Sequence, residues 1–202
     1  TGFWAAKKGR EALEIDWEEG ALSTLNSTEQ AKQYAELAKQ PGAVAKNEGD
    51  VNAAKSKAVK KIEVAYDLPY LSHSPMEPLN CVADVRADSC EIWVGTQFQT
   101  ADLMTAAFIT GLKPNQVKLH TTLLGGGFGR RGTLDSHFVS EAVQVSKAIK
   151  APVKVVWTRE DDMTQGPFRP GAVYECKGGL SKEGNIMSFQ AKMAGQNMDH
   201  QW

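Results

Sequence analysis

The spacing of apolar residues predicts a helix and then a strand at the start of the chain. From Phe3 to Leu13 the apolar side chains recur at helical spacing, and Leu13, Ile15 and Trp17 then alternate with acidic residues, as in a half-buried strand. A second helix is predicted over residues 27–39, because a serine that can cap it stands at its start and a Pro-Gly pair follows it. The first part of the chain therefore combines helix and strand.

The middle of the chain has a different composition. Residues 43–58 are rich in Ala, Lys, Asn, Gly and Asp and contain almost no large apolar side chain, which indicates a weakly packed connector. We place a domain boundary in this stretch. The predicted organisation is a domain over 1–45, a connector over 46–58 and a second domain over 59–202.

The second domain again mixes both kinds of periodicity. Prolines interrupt regular structure between residues 68 and 78, and Gly and Pro residues separate the later elements. Strands are predicted at 59–67, 81–86, 91–95, 117–124, 153–157, 172–180 and 185–194, and helices at 100–110 and 134–150. The last two strands read as a hairpin. The predicted fold class is α+β, with mixed sheets and helices.

Composition and charge narrow the class of function. The chain has 202 residues, 23 Lys and Arg against 24 Asp and Glu, and a formal net charge of -1. Such a balance provides no general basic field for nucleic acid. The longest apolar runs, residues 153–157 and 104–109, are far too short to span a bilayer. We therefore expect neither a nucleic-acid partner nor a membrane span in this chain.

The cysteines indicate no metal centre or disulfide framework. Cys81, Cys90 and Cys176 are odd in number and show no CxxC spacing, which argues against a zinc ribbon or an iron–sulfur cluster bound by this chain. We expect buried or incidental thiols, because free cysteine is among the most frequently buried residue types.

The glycine-rich segment Gly125–Gly132 carries most of the chemical information. It lies between a predicted strand and a predicted helix, where missing Cβ atoms and free backbone amides suit an anionic or oxo ligand. Residues 127–132 also fit GxGxxG, and Glu160 and Asp161 follow the next strand as a ribose-binding carboxylate does in dinucleotide folds. Phe128 and two arginines make the loop bulky for such a fold. A dinucleotide site and a purely structural turn both remain open.

Other candidate chemistry is weaker. His73 and Glu77 lie four apart in a proline-broken segment, so a packing or turn role is favoured over metal binding. His137 and Glu141 have i, i+4 spacing on a predicted helix without a third ligand nearby, and we expect an exposed pair. The sequence contains no GxSxG, P-loop or HExxH motif. We predict no metal ligands and no nucleophilic hydrolysis.

Three segments in the right order together resemble one enzyme family. They are His73–Asn80 (HSPMEPLN), Trp93–Gln97 (WVGTQ) and Gly125–Arg131 (GGGFGRR). This combination resembles the molybdenum-binding large subunit of the xanthine oxidase and aldehyde oxidase family, in the branch that contains the isoquinoline 1-oxidoreductase beta subunit. Residues Phe3–Glu19 resemble the end of the hammerhead domain that precedes the molybdopterin-binding domain. The predicted fold is therefore the end of a hammerhead domain followed by the first part of that cofactor domain.

The resemblance also implies a set of cofactor-binding residues. Gln97 corresponds to the family's glutamine that hydrogen-bonds an oxo ligand of molybdenum, and a neutral amide donates without adding charge. Phe128 corresponds to the residue whose backbone amide lies against the cofactor, with Gly126, Gly127 and Gly129 leaving room for it.

The residues that end the loop differ from the purine-oxidising members. Arg130 and Arg131 replace a Gly-Lys pair, and Gly132 stands where those members place a substrate-binding Glu. We assign Arg130 to the cofactor as well, because this arginine pair can hold the pterin phosphate or an acidic substrate group. The alternative is a solvent-facing pair at the helix entry.

The implied reaction is hydroxylation of an aldehyde or an N-heteroaromatic carbon with oxygen from water. The family's catalytic base is a Glu far downstream, so no catalytic residue is expected in this chain. The chain begins at Thr1, and we expect a fragment of a longer protein, inactive by itself and without the cofactor. The alternatives are a nucleotide-dependent oxidoreductase domain and a non-catalytic binding module.

The expected cofactor of the whole protein is molybdopterin, in its cytosine dinucleotide form, with molybdenum. The expected partners are a small-molecule substrate, an iron–sulfur small subunit and the rest of the large subunit. The compartment, bacterial cytoplasm or periplasm, stays open.

Overall fold

The computed structural model describes residues 2–196, which form two compact units. One unit contains the chain up to Glu14 together with Ser72–Phe168, and the other contains Ile15–Leu71 and the chain from Arg169 onward. The helices are α1 (Phe3–Glu11), α2 (Ser27–Ala38), α3 (Val51–Lys57), α4 (Gln99–Thr110), α5 (His137–Ile149) and α6 (Arg159–Thr164). The strands are β1 (Lys60–Leu68), β2 (Asn80–Val85), β3 (Cys90–Val94), β4 (Val117–Thr121), β5 (Val153–Val156), β6 (Ala172–Leu180) and β7 (Ile186–Gly195).

The first unit is built on a four-stranded mixed sheet of order β4-β3-β2-β5. β2 is antiparallel to β3 and β5, whereas β3 and β4 are parallel, with Ile92 opposite Leu119. Parallel neighbours need a crossover connection, and α4 provides it. α4 ends at Gly111, whose φ of +78° is the left-handed conformation that favours glycine.

One face of this sheet and two helices form the core. Alternate residues of β2 and β3 are buried, and α4 and α5 cover them. The buried apolar residues of this core are Leu79, Cys81, Ala83, Cys90, Ile92, Val94, Ala106, Ala107, Val117, Phe138, Val139, Ala142, Val143 and Trp157. Ser146 ties α5 to β2, because its Oγ accepts a hydrogen bond from Val85 N at 3.0 Å. Burial raises the pKa of Cys81 to about 12 and that of Cys90 to about 11, which agrees with inert buried thiols.

The second unit contains a three-stranded antiparallel sheet of order β1-β6-β7. A turn joins β6 and β7 and includes Gly184 with a φ of +86°, so the predicted hairpin is confirmed. α2 and α3 pack against β6 and β7. β1 is an edge strand and is exposed along its whole length.

The structure confirms the α+β class with mixed sheets and most of the predicted elements. The predicted strand around Ile15 and Trp17 is wrong, because residues 12–19 belong to no strand and Trp17 is 80% exposed. α3 lies inside the predicted connector, where the Asp50 side chain caps the helix by accepting from Ala53 N. α3 was not predicted because it contains almost no large apolar residue.

α6 was missed in the sequence, although its capping pattern is visible there. Thr158 and Asp161 exchange side-chain and backbone hydrogen bonds as a capping box. The predicted connector 46–58 falls within the second unit, and the boundaries 1–45 and 59–202 of the domains stay predictions. Within residues 2–196 no helix is long and apolar enough to cross a membrane.

Candidate functional site

The parallel pairing of β3 and β4 brings two of the three sequence segments to one edge of the mixed sheet. The carboxyl ends of parallel strands meet at the same edge, and Gln97 follows β3 while the glycine-rich loop Gly125–Gly132 follows β4. The third segment joins them through a backbone hydrogen bond of 3.1 Å from Glu77 N to Gly125 O. The candidate site is this edge.

Hydrogen bonds fix both ends of Gln97. Its backbone N donates to Arg131 O at 3.0 Å, and its side-chain Oε1 accepts from Gly129 N at 3.1 Å. No residue of the described range 2–196 accepts a hydrogen bond from Gln97 Nε2. Because the side-chain oxygen is anchored on the loop and the residue is exposed, the amide nitrogen is left as an available donor without charge.

The loop presents consecutive backbone amides. Among the described residues, no group accepts a hydrogen bond from the N–H of Gly126, Gly127 or Phe128. Gly126, Phe128 and Gly129 have φ values of +96°, +55° and +98°. Such a left-handed conformation costs a non-glycine residue on the order of 1 kcal/mol, and this kind of strain is often found at functional sites. Successive free N–H groups of this type form concave sites for anions and oxo groups.

Two glycines of the loop have different structural roles. At Gly127 the φ is ordinary, but a Cβ would overlap Gln97 Oε1 and lie 2.9 Å from Gln97 Cδ. At Gly129 a Cβ would meet nothing within 4 Å, and only the positive φ favours glycine. Gly127 therefore allows close approach of the Gln97 side chain, whereas Gly129 allows the turn.

Glu77 supports the loop from the side. Its Oε2 accepts from Gly125 N at 2.8 Å and from Arg131 Nη2 at 2.9 Å, and its Oε1 accepts from Asn80 Nδ2 at 2.9 Å. Burial alone raises the pKa of Glu77, but these hydrogen bonds and the Arg131 charge outweigh it and hold the pKa below its usual value. The carboxylate is therefore ionised at neutral pH, in a turn role rather than as a metal ligand.

The alternative of a solvent-facing arginine pair is wrong. Arg130 and Arg131 are 2% and 1% exposed. The guanidinium of Arg131 is hydrogen-bonded within the protein. Its Nε donates to Gly126 O at 2.9 Å and its Nη1 donates to Gly95 O at 3.2 Å. Neither a pterin phosphate nor an acidic substrate is needed to explain the position of Arg131.

Arg130 lies behind the loop in a buried cluster. Its guanidinium stacks on Trp157, 5.3 Å from the ring centre. Among the described residues Nη1 and Nη2 have no hydrogen-bond partner, and the backbone N of Arg130 donates to Gly127 O. Gly166 closes over the cluster, since a Cβ there would overlap Arg130 Nη2 and lie 3.6 Å from His137 Nε2. The assignment of Arg130 to a cofactor stays a prediction.

The expectation of an exposed His137–Glu141 pair is also wrong. The His137 side chain is 18% exposed, and its Nδ1 lies 3.3 Å from Thr133 Oγ1 and 3.2 Å from Asp135 Oδ1. Glu141 instead accepts a hydrogen bond of 2.7 Å from Trp157 Nε1. Both side chains therefore belong to the buried cluster that contains Arg130 and Trp157. Among the described residues, no group of three or more His, Cys, Asp and Glu side chains could hold a metal ion.

Comparison with protein families and curated proteins gives consistent matches. A family model described as a molybdopterin cofactor-binding domain matches residues 35–197. Isoquinoline 1-oxidoreductase subunit beta of Brevundimonas diminuta is 38% identical over 67% of the chain, and this match covers 17% of the relative. A membrane-bound aldehyde dehydrogenase [pyrroloquinoline-quinone] of Gluconacetobacter polyoxogenes is 30% identical over 94% of the chain, covering 25% of the relative. Xanthine dehydrogenase of Emericella nidulans is 27% identical over 93% of the chain, covering 14% of the relative.

Solved structures share the fold. Quinoline 2-oxidoreductase from Pseudomonas putida 86 superposes with a TM-score of 0.60 at 16% identity, over 70% of this chain and 18% of that one. CO dehydrogenase from Oligotropha carboxidovorans gives a TM-score of 0.56 at 23% identity, over the same shares of the two chains. The chain thus spans between 14% and 25% of the length of the relatives and neighbours named here.

The buried cluster generates a pH-dependent contribution to stability. Burial lowers the pKa of His137, the nearby Arg130 lowers it further, and the carboxylates of Asp135 and Glu141 oppose the shift without cancelling it. The unfolded chain therefore takes up a proton first as the pH falls below about 6.5. The contribution of His137 to the free energy of unfolding is fully present above that pH, and it decreases as the pH falls towards the folded pKa.

We expect His137→Asn to remove this pH dependence, because Asn carries no titrating group. The wild-type melting temperature should fall between pH 7.5 and pH 5.5 by more than that of the variant, as measured by circular dichroism at constant ionic strength. Parallel curves for the two proteins across this range would contradict the assignment.

Proposed function

Because this chain belongs to the molybdopterin cofactor-binding domain family, we propose that it is part of a molybdenum hydroxylase in which Gln97 and residues 126–129 form one wall of the cofactor site. The observation that carries the proposal is the anchoring of Gln97 Oε1 by Gly129 N, which leaves Gln97 Nε2 and three loop amides as neighbouring uncharged donors. The proposed reaction of the whole protein is oxidation of an aldehyde or an N-heteroaromatic compound, with oxygen from water.

The residues at this edge fit such a cofactor. Oxo groups and a phosphate are acceptors, and the edge supplies N–H donors from Gly126, Gly127, Phe128 and Gln97. The Glu77 carboxylate beside the loop is paired with the Arg131 guanidinium. Glycines keep Cβ atoms away from the surface that the cofactor must approach. When bound, the cofactor supplies the two-electron redox chemistry. The proposed form is the cytosine dinucleotide.

The role of this chain in the reaction is to bind and to orient. Gln97 would donate a hydrogen bond from Nε2 to an oxo group whose charge changes during the reaction, and a preorganised neutral donor stabilises such a change without reorganising. The loop amides would fix the cofactor beside it. The catalytic Glu, the rest of the site and an iron–sulfur small subunit that accepts electrons are proposed to lie outside this chain.

The proposed substrate class follows from Gly132 and from the relatives. A Cβ at Gly132 would meet only Gln97 Cβ at an ordinary 3.5 Å, so a side chain at this position has room beside Gln97. Here glycine leaves that room empty, where purine-oxidising members are expected to carry Glu. The names of the relatives refer to isoquinoline, aldehydes and xanthine. Because Gly132 lacks the Glu expected in purine-oxidising members, we favour an aldehyde or a non-purine N-heterocycle over xanthine.

The dinucleotide alternative is disfavoured by the geometry of the loop. A dinucleotide fold joins strand to helix by a short turn, so that the phosphates sit on the helix N-terminus. Here β4 ends at Thr121 and α5 begins only at His137, with a 3₁₀ turn over Arg130–Gly132 between them. The free amides of the loop therefore do not belong to a helix N-terminus.

Metal analysis tests the proposal directly. We expect the purified full-length protein to contain molybdenum and molybdopterin in equal amounts, and the 202-residue chain expressed alone to be folded but to contain neither. The reason is that one wall of a site lacks the convergent contacts on which affinity depends. Mass spectrometry of metals and fluorescence of oxidised pterin provide the measurement. Bound nicotinamide or flavin without molybdenum in the full-length protein would overturn the proposal.

The role of Gln97 is tested by Gln97→Ala in the full-length enzyme. Removal of one preorganised donor typically lowers the rate by on the order of 10²-fold. We expect turnover per molybdenum to fall by about that factor while molybdenum content falls much less. Steady-state kinetics normalised to metal content provides the measurement, and unchanged turnover at full loading rejects the assignment.

The close approach of Gly127 to Gln97 gives a further prediction. Gly127→Ala should displace the Gln97 side chain and lower turnover per molybdenum by about the same 10²-fold as Gln97→Ala. In the double variant the added methyl group has no amide to displace, so we expect turnover equal to that of Gln97→Ala alone. Gly9→Ala adds a methyl group at an uncrowded position of α1, outside the loop, and serves as the control. If the losses of turnover in the two single variants add up in the double variant, Gly127→Ala does not act through Gln97.

A further inference from the structure

A single buried guanidinium connects all three segments of the candidate site. From Arg131, Nη2 donates to Glu77 O and to Glu77 Oε2, both at 2.9 Å. Nη1 donates to Gly95 O, at the end of β3, and Nε donates to Gly126 O within the loop. The side chain has no exposed area. Each of the three guanidinium nitrogens thus donates at least one hydrogen bond inside the protein.

The backbone of the same residue holds Gln97. The carbonyl oxygen of Arg131 accepts hydrogen bonds from Gln97 N at 3.0 Å and from Thr96 Oγ1 at 3.3 Å. Arg131 therefore fixes the backbone of the residue whose side chain is anchored on Gly129. A change in the position of Arg131 moves both the loop and Gln97.

The chemistry of the contacts requires arginine and a carboxylate. Three carbonyl oxygens and one carboxylate oxygen surround Arg131, and only a planar fork of donors reaches them together, whereas the ammonium of lysine is a compact donor at one point. A buried cation without a counter-charge is strongly destabilising. Glu77 supplies that counter-charge and, through Gly125 N, also holds the first residue of the loop.

We propose that Arg131 and Glu77 form a positioning clamp that sets the geometry of the loop amides and of Gln97, and that neither side chain contacts cofactor or substrate. This inference rests on the proposed function for its effect on turnover. The clamp itself rests on the hydrogen bonds of both side chains and on the burial of Arg131, since the side chain of Glu77 is 38% exposed. Its charges cancel each other, so a ligand at this edge meets N–H dipoles rather than a free guanidinium.

The test compares Arg131→Lys with Arg159→Lys in the full-length protein. Arg159 is a control of similar contacts, because its Nη2 donates to Pro75 O and Met76 O, in the segment that contains Glu77, and its Nη1 pairs with Asp162. Its side chain is 38% exposed, whereas that of Arg131 is buried. Arg159 makes no hydrogen bond to the glycine-rich loop. A general loss of stability should affect both variants, whereas a loss of positioning should appear only in Arg131→Lys.

Three measurements separate the outcomes. We expect Arg131→Lys to raise the hydrogen exchange of the hydrogen-bonded amides of the site by at least about tenfold, namely those of Gln97, Gly125, Gly129, Arg130 and Gly132. We also expect it to lower molybdenum content, and to lower kcat per molybdenum at least about tenfold with KM changed less than twofold. Arg159→Lys should leave all three near wild type. A raised KM with unchanged exchange would indicate substrate contact and would overturn the clamp. Equal decreases in melting temperature in both variants, with unchanged kcat per molybdenum, would also overturn the clamp.

A milder variant keeps the test valid if Arg131→Lys does not fold. Glu77→Gln retains the size and one oxygen of the side chain but removes the counter-charge, and we expect the same changes in smaller degree. If wild-type protein contains no molybdopterin, the proposed function fails, and hydrogen exchange alone decides on the clamp. Faster exchange at Gln97 and in the loop then supports the clamp, and unchanged exchange rejects it.

Discussion

The parallel pairing of β3 with β4 is the constraint on which the candidate site depends. Two strands of a hairpin would place their ends at opposite edges of the sheet, and Gln97 would then lie far from the glycine-rich loop. The crossover through α4 makes the parallel arrangement possible, and burial of Ala106 and Ala107 against the sheet holds α4 in place. The apolar core therefore determines where the polar edge lies.

Behind the edge, the protein buries charge to hold a loop that has few side chains of its own. Glycines cannot be held by side-chain packing, because they have none, and they lose more conformational entropy on ordering than other residues. Arg131 compensates by hydrogen-bonding the backbone directly, and Glu77 neutralises it. Arg130 lies on Trp157 on the inner side of the same loop. The two adjacent arginines thus support the loop from behind in different ways.

The sequence predicted the elements of the first unit well, and particular residues explain where it failed. Alternating apolar positions in β2 and β3 identify strands because both pack on a core, whereas Trp17 has the same kind of alternation and no partner strand. The glycine-rich loop could be selected because a glycine cluster is a local feature, whereas Gln97 was selected through the resemblance of residues 93–97 to a family motif. The clamp could not be predicted from the sequence, since Glu77 and Arg131 are distant in sequence and a charged residue is expected at the surface until its partners are known. The Thr158–Asp161 pattern was present, and α6 was predictable from it.

The neutral character of the edge has a consequence for its response to solution conditions. Mobile lysines and arginines attract a phosphate through charges that dissolved ions screen, so their affinity declines steeply with ionic strength. Amides fixed by the fold act over hydrogen-bond distance and carry no net charge to be screened. A ligand held mainly by the amides of Gly126, Gly127 and Phe128 would keep its affinity in concentrated salt, and the chain could retain it across environments that differ widely in ionic composition.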